Sequence, residues 1–152
     1  DDVFIGGAKY KKGTFLIQLA DGTFETQDLL PAIDTLRKKS EDTGVLLFDA
    51  DNDKDLDLYI VSGGNEDYPD SESFQDRLYE NRDGLFIDIS ATLPRLKISG
   101  SCVRAGDVDN DGDLDLFIAG RLVSTAYPKA TSSYILLNQS SKETAQVQDH
   151  KK

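Results

Sequence analysis

Short apolar runs bounded by polar or glycine-bearing stretches recur along the chain, and a sustained helical spacing is rare. Runs of this kind, rich in β-branched and aromatic residues, predict strands. They fall at Val45–Phe48, Leu56–Val61, Leu78–Glu80 and Leu85–Ile89, with a matching set at Val103–Ala105, Leu114–Ala119 and Tyr134–Leu137. Asp-Gly pairs at 21–22 and 83–84 separate β-prone runs. They signal hairpins, because a type I′ turn needs positive φ at both central residues. Residues 28–39 read differently: Leu29, Ile33 and Leu36 recur at helical spacing, Asp28 stands at a cap position, and Arg37-Lys38-Lys39 suits a helix C-terminus. They are expected to form one short connecting helix. Residues 62–75 and 121–133 are polar and read as surface loops. The polar tail 139–152 has almost nothing to bury and is expected to fray.

The runs repeat on a longer scale. DADNDKDLD at 49–57 returns as DVDNDGDLD at 107–115, and Leu58-Tyr59-Ile60 returns as Leu116-Phe117-Ile118. Asp2-Val3-Phe4-Ile5-Gly6-Gly7 aligns with Asp115-Leu116-Phe117-Ile118-Ala119-Gly120, so the chain is expected to open at the tail of a third acidic loop. A fixed period near 60 residues indicates a solenoid, a propeller or an array. The expected fold is all-β and mainly antiparallel, with about two and a half propeller-like blades in units near 1–44, 45–102 and 103–138.

Composition narrows the possibilities. Leu, Ile, Val and Phe make up 41 of 152 residues, enough to build a core. No apolar run approaches the ~20 residues that span a bilayer, which argues against a membrane-embedded protein. The opening Asp1-Asp2 shows no signal peptide. A net charge of −11 argues against nucleic acid. A lone cysteine, Cys102, excludes an intrachain disulfide framework, and the only histidine, His150, lies in the polar tail. With no histidine for acid–base or nucleophilic work, an enzyme is not expected. Tyr59 and Tyr79 read as core, while the loop aromatics Tyr68, Phe74 and Tyr127 are candidates for a binding surface. Asn138-Gln139-Ser140 matches the glycosylation acceptor triplet, a pattern that also arises by chance.

The acidity itself carries the chemistry. Of 28 acidic residues 22 are Asp, and ten of these sit in the two nine-residue windows. Alternating Asp supplies the six to eight oxygen ligands that Ca²⁺ takes. Asp107, Asp109 and Asp111 occupy positions 1, 3 and 5, Asp113 offers its carbonyl at position 7, and Asp115 its side chain at position 9. Asp49, Asp51, Asp53, Asp55 and Asp57 do the same in the first loop. Gly112 eases the turn at position 6, where the first loop has Lys54 instead. An EF-hand is excluded, because its bidentate Glu at position 12 would fall on Ile60 and Ile118. Mg²⁺ fits less well, since it retains waters rather than filling an all-protein cage. Two Ca²⁺ sites are expected.

A D-x-D-x-D-x-x-x-D loop followed by Leu-aromatic-Ile and glycine resembles the FG-GAP and VCBS-type repeat of integrin-like β-propellers. Gly6-Gly7-Ala8 resembles the glycine-rich end of that motif, and the Asp-Gly-x-Phe stretches at 21–24 and 83–86 its closing hairpin. The likeness covers roughly residues 1–138. It implies a calcium-stabilised propeller segment of a larger extracellular or cell-surface protein, serving as a binding or scaffold module for a protein or carbohydrate ligand. The alternative is the non-catalytic propeller part of a secreted carbohydrate-active enzyme. An isolated array of this length would leave an apolar blade face at each end, so self-association through terminal blade faces is also expected.

Overall fold

The computed structural model describes residues 2–29, 37–139 and 147–149. The strands are β1 (Val3–Ile5), β2 (Thr14–Gln18), β3 (Phe24–Asp28), β4 (Glu41–Phe48), β5 (Asp57–Gly63), β6 (Arg77–Arg82), β7 (Leu85–Asp88), β8 (Ser99–Gly106), β9 (Asp115–Leu122), β10 (Tyr134–Asn138) and β11 (Val147–Asp149). All pairings are antiparallel, in three sheets ordered β1-β2-β3, β4-β5-β6-β7 and β11-β10-β9-β8. Among the described residues there is no α-helix, only short 3₁₀ turns. The fold is all-β and consistent with propeller blades. Asp28, expected to cap a helix, instead closes β3 and pairs with Thr14; most of the expected helix 28–39 lies outside the described residues. The tail is not wholly frayed, because the backbone of 147–149 pairs with 136–138 as an edge strand.

The second sheet lies between the other two, and β5 shows why its sequence does not alternate. All seven of its residues are buried. Leu58 and Ile60 pack with Phe15 and Tyr79 toward the first sheet. Tyr59 and Val61 pack with Leu78, Val103, Leu116 and Ile118 toward the third. A strand covered on both faces needs apolar residues at consecutive positions. Between the first two sheets, Phe15 stacks on Phe86 with ring centroids 4.9 Å apart and meets Phe4 at 4.7 Å.

The first strand of each four-stranded sheet starts four residues before the apolar signal, at Glu41 and Ser99. These added residues carry the close crossing of the two sheets. Thr43 Oγ1 donates to Gly100 O (3.1 Å) and Ser99 Oγ to Gly64 O (2.6 Å). A Cβ on Gly100 would lie 2.3 Å from Val61 Cγ1, so only glycine fits there. Asp42 ties the first two sheets at the corresponding place: it accepts from Gly7 N (2.6 Å) and pairs with Lys38 (3.0 Å) and Arg77 (2.5 Å).

The hairpin turns divide. Asp83-Gly84 has positive φ at both residues (54° and 84°) between Arg82 and Leu85, as the sequence predicts. Asp21-Gly22 does not, because only Gly22 is left-handed. Asp21 Oδ1 instead accepts from Thr23 N and Oγ1 in a longer turn.

Candidate metal centre

Each acidic loop joins the first two strands of a four-stranded sheet, β4 to β5 and β8 to β9. The loops share one backbone path, with left-handed residues at positions 4 and 6: Asn52 (φ 65°) and Lys54 (80°) in the first, Asn110 (61°) and Gly112 (95°) in the second. The path winds around the position 1 carboxylate. Asp49 Oδ2 accepts from Lys54 N (3.1 Å) and Asp107 Oδ2 from Gly112 N (3.2 Å). Asp51 and Asp53 accept from the N–H two residues on, as does Asp111. Such local bonds are the habit of Asp in turns.

Two triads result. Asp49, Asp51 and Asp57 bring one carboxylate oxygen each within 4.8 Å of one another, as do Asp107, Asp109 and Asp115. The position 5 residues Asp53 and Asp111 and the position 7 residues Asp55 and Asp113 lie outside these triads. Electrostatics matches the crowding. Burial, then the neighbouring Asp53, raises the Asp51 carboxyl above its usual range; burial, then Asp111 and Asp115, raises Asp109. Asp55 is raised by burial and by Asp53 and Asp51. Burial pushes Asp57 to about 6, partly offset by the N–H groups of Asn81 and Ala50.

The donor set fits a hard divalent cation. All donors are carboxylate oxygens, the residue types Ca²⁺ prefers. Asp49 Oδ1 and Asp55 Oδ1 are buried without any hydrogen-bond partner. Buried polar atoms are normally satisfied, and a cation in the first loop would supply what Asp49 Oδ1 lacks.

Asp57 and Asp115 also do something the sequence did not disclose. Asp57 accepts from Ala50 N through Oδ2 and from Asn81 N through Oδ1, both near 2.8–2.9 Å. Asp115 accepts from Val108 N and Asn138 N in the same way, at 2.8 Å. Each carboxylate thus clips its loop to the third strand of its own sheet. Asp2 Oδ1 accepts from Gln18 N (2.9 Å), so the alignment of Asp2 with Asp115 has a structural counterpart. The available signal was the amide residue at or next to the end of the strand that each clip reaches, Gln18 in β2, Asn81 in β6 and Asn138 in β10.

Other candidates sort by burial. Tyr59 and Tyr79 are core, and so is Phe74 at 2% exposure, which removes it from any binding surface. Tyr68 and Tyr127 stand 82% and 78% exposed. Asn138 is buried, and its side-chain amide donates to Ala50 O, so it is no glycan acceptor in this fold.

Residues 49–118 match the model of the FG-GAP-like repeat. The match runs from the first residue of the first acidic loop through the second loop into β9, so the chain carries an FG-GAP-like repeat with two acidic clusters able to hold metal ions. No curated protein matches the chain significantly. No helix among the described residues is long and apolar enough to cross a membrane.

Proposed function

We propose that the chain is a calcium-stabilised set of propeller blades, part of an extracellular or cell-surface protein, and that it binds a protein or carbohydrate ligand without catalysis of its own. The observation that carries the reading is the pair of like-shaped loops, each gathering three carboxylates and one of them holding a buried, unpartnered Asp49 oxygen. Calcium here rigidifies loops that repel themselves when empty. Binding to a site present only in the folded chain adds about 2.7 kcal/mol of stability at a hundredfold excess over Kd. Chelation is therefore expected to lower the melting temperature, and Asp109→Ala to remove the part of that response owed to the second loop. A melting curve unmoved by excess chelator would sink the reading.

The outer sheet faces support self-association. Val3 and Ile5 occupy the positions of Leu58 and Ile60 yet are 46% and 53% exposed; Phe117 occupies that of Tyr59 and is 44% exposed. These are the two halves of the face-to-face contact the chain makes internally, which suits head-to-tail packing of a second copy.

A further inference from the structure

Two hydrogen bonds leave the first acidic loop for the neighbouring sheet. Asn138 Nδ2 donates to Ala50 O at 2.8 Å, and Asn52 Nδ2 donates to Asp113 Oδ1 at 2.5 Å. Ala50 lies between the ligand candidates Asp49 and Asp51, and Asn52 between Asp51 and Asp53. Both bonds end on residues tied to the second loop: Asp113 belongs to it, and the Asn138 N–H is held by Asp115.

We propose that the two loops form one coupled metal-binding unit, in which Asn52 and Asn138 are positioning residues that pass occupancy of loop 107–115 to loop 49–57. The proposal rests on the calcium reading above. Ala50 is gripped on both sides, its N–H by Asp57 and its C=O by Asn138, so the orientation of the Ala50–Asp51 peptide, which leads into a ligand residue, depends on where Asn138 sits. Asn138 in turn depends on Asp115, a member of the second triad. An ion that fixes Asp115 and the Asp113 backbone therefore fixes both braces of the first loop. Among the described residues the second loop shows no brace at the matching positions: Val108, in the place of Ala50, is 53% exposed, and Asn110 makes no bond to another unit. Linkage makes the coupling reciprocal, so each ion tightens the other's site.

Calorimetric titration of the full chain with CaCl₂ tests this. Asp109→Ala disables the second loop, and the first is expected to bind about fivefold more weakly than in the unaltered chain, the lower end of usual coupling. Asn52→Gly keeps the left-handed backbone but deletes the amide. In the otherwise unaltered chain it is expected to weaken the cooperativity of the isotherm, since only the Asn138 brace remains, a readout that holds even if Asp109→Ala folds poorly. Two ions bound by the unaltered chain, with first-loop affinity changed by less than about twofold in Asp109→Ala, would overturn the coupling alone. No calcium uptake by the unaltered chain would overturn the calcium reading and the coupling with it.

Discussion

At position 6 the first loop holds Lys54 at φ 80°, where the second uses Gly112 at 95°. A side chain in this region costs about 1–2 kcal/mol, which glycine avoids. Lys54→Gly is expected to stabilise the chain by about 1 kcal/mol in chelator, read by urea denaturation, and to tighten the first calcium site, since it also removes a positive charge beside the ion. Unchanged stability and affinity would show that the loop pays nothing for the lysine. Asp76 offers a second test. Only 4% exposed, it accepts from Ser62 N (2.7 Å) and the Tyr59 hydroxyl (2.8 Å), yet burial raises its carboxyl to about 6. The folded chain thus holds this proton more tightly than the unfolded chain, whose value is near 3.8. Between those values folding takes up a proton, so this group's contribution to stability is full below about pH 4 and is lost as pH rises through about 6. Asp76→Asn can keep both hydrogen bonds, with the amide donating to the Tyr59 oxygen. Denaturation in chelator at several pH values is expected to show a smaller loss over that window in the variant. An identical pH dependence would refute the shift. The two carboxylate triads were legible at this scale because the spacing within each loop is local. The clips of Asp57 and Asp115 were not, since their partners lie 24 and 23 residues away.

The elements were legible wherever burial is apolar. β5, β6, β7 and β10 sit within two residues of their expected ends, and β9 runs three residues past its own, to Leu122. The starts of β4 and β8 were hidden because Glu41, Asp42 and Thr43, and Ser99, Gly100 and Ser101, carry no hydrophobic signal. Their strand character comes from backbones meeting across two sheets, information held by residues far off in the chain. Gly100 measures how tight that meeting is. Gly100→Ala is expected to cost about 1–3 kcal/mol, because Val61 is fully buried and cannot swing aside. Gly106→Ala, on the same strand with open space around it, is expected to stay within about 0.5 kcal/mol. Chemical denaturation of both variants decides it; equal costs would mean the crossing is loose.

For the whole molecule, the outward positions of β1 and β9 matter most. If the end faces pair head to tail, light scattering coupled to size exclusion will report a mass that climbs with concentration, and Phe117→Glu will restore a single-chain mass. A single-chain mass for the unaltered protein at high micromolar concentration would count against the pairing. The three-fold recurrence of the Asp clip has a separate consequence. Asp2 with Gln18, Asp57 with Asn81 and Asp115 with Asn138 each close within one sheet, so the loop-to-strand fastening of a unit borrows nothing from its neighbours. A gene that copies or drops one such unit in tandem leaves every remaining clip closed and alters only the contacts between neighbouring units. The repeat number can therefore drift by duplication without each new copy having to reinvent its own fastening.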